Sequence, residues 1–598
     1  MCGIVGIYTR QSLRENLYDR IKKLQHRGQD SYGYSDGEKI QKHLGMIEIP
    51  PENLQGNIGI AHTRYRTSGE VNLDLSQPFL KNGISLVHNG NITNLEGESD
   101  SLGLLNFILE KIENGILQAI KSAIDHCEGS FFCILTYKGD LYAFKDNCGI
   151  RPGRVYKSPE RGDIIIASET EAGAYDICAG EILSVSKAGV ISSYYGSSFL
   201  KPCIFEYIYL AKPDSVINGK SVKEFRLSMA VESKKLIEQN SLEIDAVFCI
   251  PRSSRIYGEK LAKVLKKPYL EPTVNEVKRT FILPTQKERE NFMEKKFSFL
   301  EDYSKYEKIL VVDDSLVRGT TAKFIIRCLR KRGVKKIYFF SFSPKVINTN
   351  SFGIHIVDKK ELVSYNKTHR QIEEFIGCDK LIYQTIENLH LCSGFKNLEL
   401  SIYKTKKEKS IDEVFECYER FGESDYIGER VTQLEHATQA AVLAEKHFKN
   451  DKEIVLGAFL HDIGHLLNSD KKMGKYGASS HEKTGADFLR TKGFPEKTTE
   501  IVENHILSKR YLIDTDKDYF ENLSDASKKT YQFQGGSLTP EEKEKFTKSF
   551  LFSCHLKIRE FDDLAKKTDK EFLEKLQKKY PIEYYKKMAY DLIIKQKD

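Results

Sequence analysis

The sequence predicts a multidomain chain in three parts: a β-rich N-terminal third, a central α/β region and an all-α C-terminal third. Three observations carry this. Up to about Ser198, short β-branched and aromatic runs alternate with turns. Near the middle, KILVVDDSLVRGTTAKFIIRCLRKRG (Lys308 to Gly333) reads as strand, phosphate loop and helix, and after Lys404 strand-like runs give way to helical periodicity. The 598 residues exceed one core and leave room for about three to four domains at ~150 residues each.

Charged residues make up 30% and hydrophobic ones 40%, so the chain can bury cores and is not disordered as a whole. A net charge of +7, from 92 basic against 85 acidic residues, suits small anionic substrates and excludes nucleic acid as the expected partner. No apolar run reaches the ~18 residues of a membrane span, and Thr9-Arg10 follows too soon for a signal peptide. A cytoplasmic protein with no membrane partner, forming a homo-oligomer, is expected. Twelve cysteines without a CxxC pair fit reduced thiols better than disulfides or a zinc ribbon.

In the N-terminal third, Gly59 to His62, Ile84 to His88, Ser130 to Thr136, Leu141 to Phe144 and Ile164 to Ala167 read as strands. Lys138-Gly139-Asp140 and Lys187-Ala188-Gly189 read as hairpin turns. Small Cys2 after Met1 predicts removal of the initiator, which places a thiol and a free α-amine on one residue. An amine with a reference pKa of about 7.7–8.0 can relay the thiol proton near neutral pH. CGIVGIY, LQHRGQDSYG (Leu24 to Gly33), GIAHTRYRTSG (Gly59 to Gly69), QPF (Gln77 to Phe79), HNGNITN (His88 to Asn94) and GIRP (Gly149 to Pro152) together resemble the class II glutamine amidotransferase domain. The resemblance implies an αββα N-terminal-nucleophile hydrolase over 1–200. In it Cys2 attacks the glutamine carboxamide, Asn89 and the Gly90 N–H form the oxyanion hole, Arg64 grips the carboxylate and Asp100 the amine. Only Leu95-Glu96-Gly97-Glu98 separates Asn94 from Ser99-Asp100, where that family has a helix and a strand.

In the centre, Ile309 to Val312 has the β-branched run of a buried parallel strand, and Phe324, Ile325, Cys328 and Leu329 recur at helical spacing before Gly333. Asp313 and Asp314 end the strand, and Arg318-Gly319-Thr320-Thr321 offers N–H groups and hydroxyls at a helix N-terminus, a ready anion site. Two acids beside a phosphate cradle suit a sugar phosphate with Mg²⁺. Ile309 to Thr321 resembles the phosphoribosyl pyrophosphate (PRPP) signature of glutamine amidophosphoribosyltransferases, a likeness that extends from Lys201 to about Leu391. It implies an α/β phosphoribosyltransferase over 201–403, with Asp313, Asp314, Ser315, Arg318, Gly319, Thr320, Thr321 and the loop residue Arg279 holding PRPP. It also implies conversion of glutamine and PRPP to 5-phosphoribosylamine, the first step of de novo purine synthesis. Arg252, Glu276 and Lys278 depart from the family pattern and leave a regulatory PRPP- or nucleotide-binding module as the alternative.

In the last third, Lys404 to Lys409 reads as a charged linker to an all-α domain over 410–598. Helices are expected over Glu435 to Lys449, Lys452 to Leu467, His481 to Lys492, Pro495 to Ser508 and Pro540 to Lys567. His436, His461, Asp462, His481, His505 and Asp562 are expected inside or at the start of these helices. His461 and His465 are expected on one side, with Asp462 able to bridge two metals. This ordered set resembles the HD metal domain, most members of which are phosphohydrolases. Asp425-Tyr426-Ile427-Gly428-Glu429, followed by Val431 to His436, resembles more narrowly the mixed-valent di-iron HD oxygenases that cleave hydroxylated aminoethylphosphonates. That likeness implies two irons, another divalent metal being the alternative. His436, His461, Asp462 and Asp562 would hold one, and Asp462, His481 and His505 the other. Tyr426 and Glu429 would guard the open position, and His465, Lys509 and Arg559 would be available to a phosphonate. A phosphate ester is the alternative substrate, and a solvated surface position is the alternative for Lys509 and Arg559.

Overall fold

The computed structural model describes residues 2–594 apart from 66–71, 170–172, 198, 275–296, 300–301, 351, 353–357, 427–428, 450 and 468–479, with the side chains of 197, 525, 526 and 532 also outside it. The chain forms two compact units, 1–403 and 404–598.

The first unit begins with two antiparallel sheets. One, of seven strands, runs in the order Tyr175–Asp176, Arg154–Lys157, Ile164–Ala167, Gly3–Tyr8, Ile58–Arg64, Ser31–Ser35, Ile40–Leu44. The other, of six, runs Ile191–Ser197, Ala179–Val185, Asp140–Lys145, Gly129–Tyr137, Ile84–Ile92, Phe79–Lys81. The period of two along each strand sorts side chains between layers. Ile4 and Tyr8 join Phe132 and Ile134 between the sheets. Val5 and Ile7 pack outward on Leu13, Leu17 and Ile21 of the helix Leu13–Lys23. Phe131, Cys133 and Leu135 pack outward on Leu104 and Ile120 of the helices Asp100–Lys111 and Ile116–His126. The layers are therefore helix, sheet, sheet, helices. Gly6 keeps the sheets close, because a Cβ there would lie 2.7 Å from Ile134 Cγ2. The Lys138-Gly139 turn has both residues at positive φ, 51° and 80°, as a two-residue hairpin requires.

The same unit carries a five-stranded parallel sheet ordered Tyr269–Leu270, Ala246–Cys249, Lys308–Asp313, Lys336–Ser341, Lys380–Tyr383. Numbered along the chain this is 2-1-3-4-5. The order reverses between the strands ending at Cys249 and Asp313, and the crevice outside their carboxyl ends is where such sheets take ligands.

The second unit is helical, around a core including Phe415, Phe459, Ile501 and Tyr585. Three sequence expectations are corrected. Lys404 to Lys409 is not a linker: the helix Lys406–Phe421 starts there, because Thr405 and Glu408 cap each other reciprocally. The run Pro540 to Lys567 is two helices, Pro540–Thr547 and Phe552–Leu564, parted where the Ser549 hydroxyl accepts the Leu551 N–H at 3.1 Å and competes with helix bonding. The run Lys452 to Leu467 breaks after Leu460 into tight turns, with His465 N–H on Asp462 O at 2.9 Å, before a short helix Gly464–Leu467. His461 and Asp462 thus lie just past a helix end rather than inside one. Gly464 permits this, since a Cβ there would overlap the His481 carbonyl. Gly464→Ala is expected to destabilise the second unit by about 1–3 kcal/mol through overpacking. Denaturant unfolding checks this, and wild-type stability would show that the turn does not depend on that contact.

Candidate active sites

At the N-terminus the Cys2 N–H donates to Asn89 Oδ1 at 2.9 Å, and the Cys2 thiol lies 4.0 Å from Tyr65 O. Asn89 Nδ2 is buried without a hydrogen-bond partner among the described residues. A buried donor with its acceptor half committed to the nucleophile's own main chain is the arrangement an oxyanion needs. Gly90 is at φ 154° and its Cα packs on the Ser130 carbonyl, which a Cβ would overlap. Asp100 opens its helix behind the Ser99 cap. Its carboxylate accepts Ile92 N–H at 3.2 Å and Ser101 N–H at 2.8 Å and lies 3.7 Å from His88 Nδ1. The short Leu95 to Glu98 connection therefore still brings Asp100 beside the strand that carries Asn89. Burial lowers the His88 pKa below its ordinary value, which keeps the ring neutral. Arg64 donates to Leu75 O at 2.8 Å.

At the sheet's switch point, Asp313 and Asp314 face the turn after Cys249. Ser253 Oγ donates to Asp314, and Ser254 Oγ to Asp313 Oδ1 at 3.3 Å. Burial pushes the Asp314 carboxyl up, against the opposing effect of the Ser253 and Ser315 hydroxyls. Ser315 Oγ donates to Asp314 Oδ1 at 2.7 Å. Gly319, at φ 75°, turns the chain into the helix Thr320–Lys331, so the Thr320 and Thr321 N–H groups lie in its first turn. Arg318 is paired with Glu361, Nε to Oε2 at 2.9 Å. Arg279 lies outside the described residues, as do Glu276 and Lys278. Ser253 and Ser254 carry no local signal beyond their place after a strand.

In the second unit two groups converge: His436, His461 and Asp562, and Asp462, His481 and His505, each group with its ligand atoms within 4.8 Å of one another. Asp462 faces both. Its Oδ2 lies 3.2 Å from His461 Nε2, and its Oδ1 lies 3.3 Å from both His481 Nε2 and His505 Nε2. The Nδ1 atoms of His436, His461 and His505 lie 2.9, 2.8 and 2.7 Å from the carbonyls of Ala565, Ala458 and Val502. Such bonds place the proton on Nδ1 and leave a lone pair on Nε2. His481 Nε2 lies 3.1 Å from His505 Nε2, and His436 and His461, both held in that tautomer, bring their Nε2 atoms to 3.2 Å. Lone pairs that close repel unless a cation lies between them. Asp462 Oδ2 and Asp562 Oδ1 are buried without a hydrogen-bond partner among the described residues. The donor sets of the two groups fit divalent cations, and Asp462 would be available to both.

Around this pair lies a cavity of about 60 Å³ lined by Tyr426, Glu429, His465, Lys509, Lys566 and Arg559 among others. Lys509 is 2% exposed, not a solvated surface charge. Burial and the Arg559 charge lower it to about 7, and it donates to Thr530 Oγ1 at 2.9 Å and Gln534 Oε1 at 3.0 Å. Arg559 is buried too, but its guanidinium is spent on Asp562, Asp563 and the Tyr519 hydroxyl. Tyr426 stacks on His436 with ring centroids 3.9 Å apart, and His465 on His481 at 3.8 Å. Burial lowers His465 to about 3, so its ring is neutral. Glu429 Oε1 lies 3.3 Å from Lys566 Nζ. Sequence reading missed Lys566, Ser527, Thr530 and Gln534, which belong to no contiguous motif.

Residues 227–343 match the phosphoribosyl transferase domain family and residues 433–544 the HD domain family. Over 65% of its length the chain is 36% identical to the amidophosphoribosyltransferase of Haemophilus influenzae, covering 88% of that protein. Over 66% it is 34% identical to the amidophosphoribosyltransferase of Saccharomyces cerevisiae, covering 89% of that protein. Among solved structures, glutamine PRPP amidotransferase from B. subtilis complexed with ADP and GMP matches 67% of this chain and 95% of its own, with a TM-score of 0.58 and 27% identity.

The metal groups predict two divalent ions per chain by elemental analysis of purified protein. His481→Ala with His505→Ala is expected to retain about one. Full loss in a folded variant would show that the groups do not bind separately.

Proposed function

The chain belongs to the amidophosphoribosyltransferase family over its first two thirds, and on that premise we propose that it converts glutamine and PRPP to 5-phosphoribosylamine, glutamate and pyrophosphate, opening de novo purine synthesis. The observation that carries the glutamine half is the orphaned Asn89 Nδ2 beside Cys2. The Cys2 thiol, its proton passing by way of the α-amine to the departing ammonia, attacks the carboxamide carbon to give a glutamyl thioester, which water hydrolyses to glutamate and the free thiol. Asn89 Nδ2 and the Gly90 N–H take the developing negative charge, a contribution of about 3–4 kcal/mol per donor. Arg64 and Asp100 fix the substrate's carboxylate and amine. Ammonia then displaces pyrophosphate from the anomeric carbon of PRPP. The Thr320 and Thr321 N–H groups cradle the 5′-phosphate, and Asp313 and Asp314 hold the ribose hydroxyls. Asp313 and Asp314 would also hold Mg²⁺, which when bound would supply neutralisation of the pyrophosphate charge.

The C-terminal unit is read as a di-iron oxygenase acting on a hydroxylated aminoalkylphosphonate. Two irons, when bound, supply activation of O₂ and oxidation of the hydroxyl-bearing carbon. His436, His461, Asp462 and Asp562 would hold one, and Asp462, His481 and His505 the other. The support from the chain is threefold. A cavity of about 60 Å³ suits a small molecule. Buried Lys509 supplies a cation for a phosphonate, and Glu429, which already accommodates an ammonium from Lys566, can take the substrate's amine. Arg559 acts at one remove, orienting Asp562. Tyr426 covers the metal face and His465 backs His481. A metal-dependent phosphohydrolase, favoured by the general HD match, is the second reading.

Cys2→Ala should abolish glutamine use and leave ammonia-dependent phosphoribosylamine synthesis, whereas Asp313→Asn with Asp314→Asn should abolish turnover with either nitrogen source. Steady-state assays with both nitrogen sources decide this. Loss of both activities in folded Cys2→Ala, or unchanged PRPP affinity in the double variant, would contradict the division. For the second unit, iron-loaded protein should consume O₂ when given 2-amino-1-hydroxyethylphosphonate and release glycine and phosphate, with Glu429→Ala losing at least about tenfold in kcat/KM, as expected for a buried charge partner. Phosphate-ester hydrolysis without O₂, unaffected by Glu429→Ala, would instead establish the phosphohydrolase.

A further inference from the structure

Glu206 takes no part in the reactions above, yet it is 1% exposed and sits within a closed set of buried charges at the start of the π-helix Glu206–Leu210. Arg27, fully buried, is the hub. Its Nε donates to the Cys2 carbonyl at 3.0 Å, its Nη1 pairs with Glu169, and its Nη2 donates to both Glu206 oxygens at 2.8 and 3.0 Å. Glu206 Oε1 also accepts from Arg151 Nη1 at 3.1 Å. Arg151 Nη2 donates to the Phe352 carbonyl, which accepts the Ser130 hydroxyl at 2.8 Å as well. Ser130 pairs with Asn91 in the ladder, and its carbonyl fills the space a side chain at Gly90 would need. The set therefore runs from the main chain of the nucleophile to the strand pair that carries Asn89 and Gly90.

Glu169 is tied down in turn. It accepts His26 Nε2 at 2.9 Å, the Lys212 N–H at 3.0 Å and the Ser215 hydroxyl at 2.5 Å. Burial would depress the charge on Arg27 and Glu169, but the Glu206 and Glu169 carboxylates keep the guanidinium protonated, and Arg27 with His26 keeps Glu169 ionised. Two guanidinium groups thus face two carboxylates out of water. Apolar residues of the same volume would stabilise such a site as well or better, so the ion pairs are a weak device for stability. What they provide that apolar packing does not is direction. Charge-assisted bonds to both oxygens of one carboxylate fix where Arg27 points, and so where the Cys2 carbonyl lies.

Resting on the reading of Cys2 as nucleophile, we propose that Glu206 is a positioning residue for the glutamine half-reaction, setting the Cys2 main chain through Arg27 and the oxyanion strand through Arg151 and Ser130. It touches neither substrate, so its effect is on attack geometry. Displacement of reacting groups by about 1 Å can lower a rate about 100-fold.

The test is Glu206→Gln in the full chain, which keeps the shape and removes the charge. Glutamine-dependent kcat should fall about 10- to 100-fold with KM for glutamine within about twofold, while the ammonia-dependent rate stays at wild type. Labelling of Cys2 by the glutamine analogue 6-diazo-5-oxo-L-norleucine, which needs the same attack geometry, should slow in parallel. Equal loss of both activities, or an unchanged ratio and labelling rate, would overturn the proposal. Should Glu206→Gln fail to fold, Ser130→Ala removes only the far end of the chain of bonds, and a drop of about two- to fivefold in the glutamine-to-ammonia ratio is expected. No drop there would equally overturn it. Cys2→Ala run alongside separates the premise: survival of glutamine use in that variant would fail the nucleophile assignment itself.

Discussion

A carboxylate taken out of water must find cations or donors, and Asp462 meets that demand from two sides. Burial by itself would push its carboxyl up, and a divalent cation held by each group would keep it ionised. Everything around it follows from presenting both oxygens at once. The helix from Lys452 ends at Leu460, the next three residues turn, and Gly464 lets the turn press against His481. The backbone carbonyls behind His436, His461 and His505 then fix which nitrogen is offered. Two groups of ligands thus meet at one carboxylate, Asp462.

The first unit answers the same demand in two other ways. It has the αββα fold of the N-terminal-nucleophile hydrolases, followed by a phosphoribosyltransferase fold, as the second unit is an all-α HD domain. Its buried acids are matched by hydroxyls at the sheet switch point, where Ser253 and Ser254 face Asp314 and Asp313. Near Cys2 they are matched by guanidinium groups, where Arg27 and Arg151 face Glu169 and Glu206. In the former case the partners can yield to a ligand's own hydroxyls and metal. In the latter the pairing is closed, which suits a fixed scaffold around a nucleophile.

Much of this was legible because the chemistry is written in contiguous runs. Cys2 with its Gly-rich follower, His88-Asn89-Gly90, and Asp313 to Thr321 each place several functional groups on one strand end or turn, so local pattern and site coincide. The period of two that sends Phe131 and Phe132 into different layers was equally readable. What escaped lies where side chains from separated elements meet. Glu206 is one acid among 85, and only the fold brings it to Arg27. Lys566 and Glu429 meet in the same way. The lysine run at Lys404 to Lys409 hid a helix start because the cap pairing of Thr405 and Glu408 outweighs its solvated composition. The helix assumed over Pro540 to Lys567 failed because the Ser549 hydroxyl competes for the backbone, leaving Phe550 98% exposed between two shorter helices.

The central claim is that one unit couples a thiol that releases ammonia from glutamine to a sheet crevice that holds PRPP. The most direct measurement is the product balance of the purified full chain supplied with glutamine, PRPP and Mg²⁺. Glutamate and pyrophosphate released in equal amounts, with ammonia failing to accumulate, is the predicted result. Glutamate released without pyrophosphate, or PRPP bound without turnover, would contradict it.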